Sequence, residues 1–104
     1  PRDLVARYGG EELVAILPDT DEVGSIRVAR EVLQKTRDLG IEHTGNFGRG
    51  VVTLSAGVCV GSAHTQDSPA SLISRADQAL YAAKNAGRDR VFCFDISRQV
   101  AVPV

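Results

Sequence analysis

Residues 4–17 read as two extended runs, LVARY at 4–8 and EELVAIL at 11–17, that meet at Gly9-Gly10. Glycine tolerates positive φ, so the pair suits a two-residue hairpin turn. The second run is apolar at Leu13, Ala15 and Leu17, and also at Val14 and Ile16. A strand with one wet face alternates. One that is apolar on both sides predicts an interior position, covered from both faces. The rest of the chain has to supply those covers.

It offers two helices and two further strands. Pro18 ends the second run, and Asp19, Thr20 and Asp21 provide N-cap chemistry and acidic charge at a helix start. Val23, Ile26, Ala29, Val32, Leu33 and Thr36 recur at helical spacing, and Gly40 suits a C-terminal cap. Residues 41–50 predict a short strand and a Gly-rich loop. Residues 51–60 (VVTLSAGVCV) are β-branched and apolar and predict another inner strand. Ser68-Pro69 gives an N-cap followed by proline at the first helical position. Leu72, Ile73, Ala76, Leu80 and Ala83 form the apolar stripe of this second helix, and Gly87 ends it. Residues 91–94 (VFCF) predict a final strand, and 95–104 a loosely attached tail.

Composition narrows the function classes. The chain has 104 residues, which is one domain or part of one. Hydrophobic residues make up 43% and charged residues 24%, so the chain can build a core. A net charge of -1 excludes a protein that holds nucleic acid by bulk positive charge. No apolar run approaches the roughly 20 residues needed to span a bilayer, and no signal peptide opens the chain. The expectation is cytoplasmic, with membrane anchoring of a parent protein left to an upstream domain. The chain has no methionine and begins at Pro1, which predicts an N-terminus shortened by processing or truncation. Cys59 and Cys93 sit in short apolar runs without zinc spacing and predict reduced, buried thiols. His43 and His64 are isolated in polar stretches and are not expected to act as ligands or bases.

Two clusters carry chemistry. In Gly9-Gly10-Glu11-Glu12-Leu13, adjacent carboxylates follow a turn whose glycines let a ligand approach the backbone. Carboxylates are hard oxygen ligands of the kind Mg²⁺ takes together with substrate phosphates. A solvated hairpin tip would use the same residues. In Lys84-Asn85-Ala86-Gly87-Arg88, two cations lie four apart at a helix C-terminus. They complement the helix dipole, and beside a metal site they would also clamp a triphosphate.

In combination these blocks resemble the C-terminal part of a GGDEF domain, the diguanylate cyclase family. The resemblance runs from Asp3 to about Phe94. It rests on RYGGEEL at 7–13, LPDT at 17–20, VTLSAGV at 52–58 and ADQALYAAKNAGRDRV at 76–91. It implies an α+β fold like that of nucleotidyl cyclases and the polymerase palm, with a ferredoxin-like βαββαβ core, lacking its first strand and N-terminal helices. Residues 1–94 would be the domain portion and 95–104 the tail.

The resemblance also implies an activity: condensation of two GTP into cyclic di-GMP and two pyrophosphates, across a homodimer, with Mg²⁺ or Mn²⁺. Glu11 matches the family's metal ligand and proposed base, and Glu12 a second metal-site carboxylate. Gly9 and Gly10 match the turn beneath the nucleotide, and Lys84 and Arg88 the phosphate contacts. Asp3 matches the aspartate of an RxxD product-inhibition site. Arg27 or Arg30 could supply a further arginine of that site, although the best-aligned position holds Glu31. Leu13 stands where the family usually has phenylalanine, a loss of volume and not of chemistry.

Members of the family carry a further N-terminal half with a metal-binding aspartate and the guanine-recognising residues. The expectation is therefore that residues 11–17 and 51–60 fail to pair, and that this piece alone is inactive. In a parent protein an upstream regulatory domain is expected. The alternative reading is a degenerate GGDEF domain that acts as a nucleotide-binding or regulatory module, and a third is an interaction domain that dimerises through exposed strand edges.

Overall fold

A computed structural model describes residues 3–43, 50–62 and 67–104. The chain order is β1 (Leu4–Gly9), β2 (Glu12–Ile16), α1 (Glu22–Leu39), β3 (Ala56–Val58), α2 (Pro69–Asn85), β4 (Val91–Asp95) and β5 (Val100–Pro103). The architecture is α+β, as the sequence implies.

Capping chemistry sets the helix limits. Asp21 is the N-cap of α1, and its Oδ1 accepts from the Gly24 N–H at 2.8 Å. Gly40 closes the helix with φ 62°, a left-handed conformation that glycine adopts without a Cβ clash. Ser68 caps α2 in a reciprocal box with Ser71, and Pro69 follows at the first turn.

The strands form two separate sheets. β1 and β2 make an antiparallel hairpin. β3, β4 and β5 form the second sheet, with β3 parallel to β4 and β5 antiparallel to it. Among the described residues β2 pairs only with β1, and β3 only with β4, so both sheets are open and the edges of β2 and β3 are unpaired.

The core lies on the second sheet. α2 packs on all three of its strands and α1 on β3 and β4. Among the described residues the buried apolar side chains are Leu33 of α1, Ala79 and Ala83 of α2, and Val91, Cys93 and Phe94 of β4. Closeness of α2 depends on small groups. Gly57 of β3 faces the α2 backbone, and a Cβ there would collide with the Ala76 carbonyl and the Leu80 N–H.

Several expectations are corrected. The strand predicted over 51–60 is regular only at Ala56–Val58. Val51 instead bridges Glu42, with the Val52 N–H donating to the Ile41 carbonyl at 2.7 Å. Residues 44–49 of the expected Gly-rich loop lie outside the described residues. VFCF is not the final strand: residues 95–104 turn at 96–99 and return as β5, with the Val104 N–H donating to the Val91 carbonyl. The apolar Val100-Ala101-Val102 run gives this segment a strand to pair with β4. The α1 stripe is narrower than its spacing suggests. Val23 and Val32 are exposed while Ser25 is buried, because the helix meets the sheet only at two strands. β2 is not covered from both sides: Leu13 is 66% exposed and Ile16 52%, because among the described residues no helix or other strand packs closely on the hairpin.

Candidate functional site

The hairpin tip sits one residue later than the glycine pair suggests. Arg7 pairs with Leu13, and Gly9 with Glu12, so Tyr8 is an irregularity and Gly10-Glu11 is the two-residue loop. Gly10 takes φ 53°. The Arg7 Nε donates to the Gly10 carbonyl at 3.1 Å and holds the turn from below. Glu11 therefore stands exposed at the tip, and Glu12 opens β2. Displaced from the ladder, Tyr8 lines a hollow against α2 with Ala70, Ile73, Ser74 and Asp77. The sequence reading missed Arg7 and Tyr8. An arginine three residues before a turn glycine is the signal that could have found the first.

The second part of the site is the end of α2. Ala86 is its cap, the Gly87 N–H donates to the Lys84 carbonyl, and the Arg88 N–H donates to the Ala83 carbonyl at 3.0 Å. This is a Schellman closure, with Gly87 at φ 122° in its left-handed position. Lys84 lies in the last turn and Arg88 just past the closure. The Lys84 Nζ reaches Glu12 Oε2 at 3.5 Å, with the two side chains 30% and 36% exposed. The structure thus joins one predicted carboxylate to one predicted phosphate contact. Arg88 makes no hydrogen bond or ion pair to Glu11 or Glu12.

The segment after Gly87 is strained. Arg88 and Asp89 have φ 63° and 52°, consecutive non-glycine residues in left-handed backbone. Such residues cost on the order of 1–2 kcal/mol each. Asp89 is held from two sides. Its carboxylate accepts from Arg37 Nε at 2.7 Å, its carbonyl from Arg37 Nη2 at 3.3 Å, and its N–H donates to Ser55 Oγ at 3.1 Å. Neither Arg37 nor Ser55 stood out in the sequence.

Glu11 and Glu12 fit a hard divalent cation as a partial ligand set. Their oxygens have the right chemistry, and Mg²⁺ ordinarily combines one or two carboxylates with phosphate oxygens. The described residues contain no group of three or more His, Cys, Asp or Glu side chains arranged to hold a metal. The Lys84 ammonium beside Glu12 also occupies part of that carboxylate's charge.

The remaining candidates lie elsewhere. Asp3 and Arg27 are exposed and share no hydrogen bond or ion pair. Arg27 lines a groove with Arg30, Glu31, Arg37, Asp89 and Arg90, between α1 and the start of β4. Cys93 is buried and Cys59 half-buried, both as free thiols. Burial pushes the Cys93 thiol up to about 11 and the Cys59 thiol up as well. His43 is exposed, and its backbone N–H donates to the Gly50 carbonyl. His64 lies outside the described residues. No helix among them is long and apolar enough to cross a membrane.

Known proteins resemble this chain in sequence and fold. The family model described as "Diguanylate cyclase, GGDEF domain" matches residues 1–90. The response regulator PleD of Caulobacter vibrioides is 41% identical over 91 residues, covering 86% of this chain and 19% of the relative. Diguanylate cyclase DgcP of Pseudomonas aeruginosa is 34% identical over 89 residues, covering 86% of this chain and 13% of the relative. The crystal structure of the GGDEF domain of DgcB from Caulobacter crescentus, in complex with c-di-GMP, superposes with a TM-score of 0.76 at 31% identity. That match covers 89% of this chain and 52% of the solved one. The chain therefore spans about a fifth of PleD and about half of the solved domain. With the carboxylate hairpin, the cation-bearing end of α2 and a matched family model over most of its length, the chain belongs to the GGDEF domain family of diguanylate cyclases.

Proposed function

We propose that this chain supplies the hairpin and phosphate-binding helix of a diguanylate cyclase that condenses two GTP into cyclic di-GMP. The observation that carries the reading is the Glu12–Lys84 pair. It brings the carboxylate hairpin and the cation-bearing end of α2 to one place, although no helix or strand packs closely on the hairpin.

In this reading the 3′-hydroxyl oxygen of one GTP attacks the α-phosphorus of the other. A new P–O bond forms, the bond to the β-phosphate oxygen breaks, and pyrophosphate leaves. Two such steps close the ring, and the two-fold symmetry of the product calls for two protomers. Glu11, exposed at the tip, takes the hydroxyl proton. Lys84 and Arg88 hold the triphosphate and stabilise the charge that builds on the leaving pyrophosphate. The glycines at 9 and 10 admit the nucleotide: a Cβ at either would meet nothing within 4 Å, so the space above them is open. Glu11 and Glu12 would hold Mg²⁺, which would supply neutralisation of the phosphate charge. Two carboxylates without a third are a weak metal site, so the 104-residue chain by itself is inactive. The relatives' lengths leave room for the missing ligands and for a regulatory domain in a longer protein. Residues 1–94 are the cyclase portion in this reading. Asp3 and Arg27 are the candidates for product binding.

The test compares the 104-residue chain with the full natural protein in which it occurs. Each is incubated with GTP and Mg²⁺, and cyclic di-GMP is separated by chromatography, with Glu11→Ala as control. The expected result is product from the full protein alone, abolished by the substitution. Turnover by the 104-residue chain overturns the inactivity. GTP binding without turnover by the full protein overturns the cyclase reading in favour of a nucleotide-binding module.

A further inference from the structure

Arg88 is an exposed side chain on a tightly fastened backbone. Its N–H donates to the Ala83 carbonyl at 3.0 Å, and its carbonyl accepts from Arg90 Nε at 2.8 Å. The next N–H, of Asp89, donates to Ser55 Oγ at 3.1 Å, and the Asp89 carbonyl accepts from Arg37 Nη2 at 3.3 Å. All four backbone polar groups of these two left-handed residues are engaged. The Asp89 carboxylate, 10% exposed, adds the 2.7 Å bond to Arg37 Nε.

Arg37 is itself fixed. Its Nη1 donates to Gln34 Oε1 at 2.9 Å, and Gln34 Nε2 donates to Asp38 Oδ1 at 2.9 Å. The guanidinium is thus oriented by its own helix before it meets Asp89. Three segments converge on the loop: the end of α1 through Arg37, the approach to β3 through Ser55, and the end of α2 through Ala83. The Arg88 N–H to Ala83 bond belongs to the closure of α2, whereas the Ser55 and Arg37 bonds to Asp89 are not needed to end the helix. What they fix is the direction in which Arg88 leaves the surface. Among the described residues the Arg88 guanidinium makes no hydrogen bond or ion pair.

We propose that Arg37 is a positioning residue for nucleotide binding: through Asp89 it holds the strained 88–89 backbone, and so aims Arg88 at the triphosphate of bound GTP. The inference rests on the reading of Arg88 as a phosphate contact. Arg37 does not touch the nucleotide. Its effect is to prepay the ordering of a flexible cationic side chain's base, which strengthens binding by preorganisation. An arginine suits this task because one planar fork serves the carboxylate and the carbonyl of the same residue. Lysine would serve one of them.

The test uses the full natural protein, GTP and Mg²⁺, with Arg37→Ala, Arg37→Lys, Arg88→Ala and the Arg37→Ala/Arg88→Ala double variant. Arg37→Ala is expected to raise the GTP KM about tenfold with kcat within about twofold, and Arg37→Lys to recover part of that. On the Arg88→Ala background the same substitution is expected to leave KM unchanged, since the residue being aimed is gone. Amide hydrogen exchange without nucleotide provides the second readout. The Arg88 and Asp89 amides are expected to exchange at least about tenfold faster in Arg37→Ala. Unchanged exchange overturns the clamp. A KM effect of equal size on both backgrounds overturns the aiming of Arg88. If Arg88→Ala leaves KM untouched, the phosphate-contact reading fails and the aiming role with it. Faster exchange in Arg37→Ala then marks that failure as one of function and not of structure.

Discussion

Lys84 Nζ stands 3.5 Å from Glu12 Oε2, so charge joins the last turn of α2 to the first residue of β2 where no backbone packing joins them. Both side chains are about one-third exposed, and an exposed pair of this kind contributes about 0.2–1 kcal/mol. Its structural weight is small, and that makes it a clean probe of function.

Glu12→Gln is expected to lower the melting temperature by less than about 5 °C. In the cyclase assay it is expected to raise the Mg²⁺ concentration for half-maximal activity at least about tenfold, because a hard carboxylate ligand becomes a neutral amide. Thermal denaturation and a Mg²⁺ titration at fixed GTP check the two halves. A large loss of stability with unchanged Mg²⁺ dependence would mean that the pair holds the hairpin and nothing more.

Gly57 and Gly9 make a contrast within one residue type. At Gly57 a Cβ would meet the Ala76 carbonyl, the Leu80 N–H and, at 2.9 Å, the Leu80 Cα, all backbone atoms that cannot swing away. Gly57→Ala is expected to destabilise the chain by about 2–4 kcal/mol, read as a shifted urea midpoint. At Gly9 a Cβ meets nothing within 4 Å and φ is ordinary. Gly9→Ala is expected to change stability by less than about 1 kcal/mol while raising the GTP KM, since the open space is where the nucleotide approaches. Equal stability losses at the two positions would contradict the packing of α2 on β3.

The legible parts of this fold were those fixed by local chemistry. Asp21, Gly40, Ser68 and Gly87 act within one helical turn of themselves, so their spacing announced both helices to within a residue or two. The GGEEL and KNAGR clusters were legible in the same way. The partner of each cluster was not, because Glu12 and Lys84 are far apart in sequence and spacing carries no sign of which ion pairs form across a fold. Arg37 and Asp89 stand 52 residues apart and were invisible for that reason. Burial is not legible where it depends on neighbours: β2 is apolar on both faces yet exposed at Leu13 and Ile16, and α1 buries Ser25 in preference to Val23. The 100–102 segment looked like a tail because a short edge strand has too few residues to show a period.

The cysteines are expected to be inert near neutral pH. Burial holds the Cys93 thiol at about 11, and Cys59 is also raised, so little thiolate exists at pH 7.5. In a thiol titration with a chromogenic disulfide, the folded chain is expected to react far more slowly than the chain in 6 M guanidinium. The same shift has a stability consequence. The unfolded thiol loses its proton near pH 9 and the folded Cys93 does not until about 11, so its contribution is complete below pH 9 and is lost as pH rises through about 11. Cys93→Ser is expected to flatten that alkaline loss. Rapid labelling of Cys93 in the native chain would show that β4 opens.

The turn between β4 and β5 carries an acid-sensitive carboxylate. The Asp95 carboxyl accepts from Ser97 Oγ at 2.7 Å, from Arg98 Nε at 2.9 Å and from the Arg98 N–H at 3.2 Å. These bonds favour the ionised form and hold its pKa down at about 2, against an ordinary value of 3.8. With the folded value depressed, the stabilisation is fully present above pH 3.8 and disappears as pH falls through about 2. The Asp95 side chain is partly exposed and all its partners lie within three residues, so the effect is confined to the turn. Amide exchange at Arg98 is expected to stay slow down to about pH 3 and to accelerate below it, relative to the amides of β4. Asp95→Asn is expected to expose the same amide at neutral pH and to loosen β5, because among the described residues Val100–Pro103 pairs only with β4. An Arg98 amide equally protected in both chains at pH 6 would show that the strand pairing, and not the carboxylate, sets the turn.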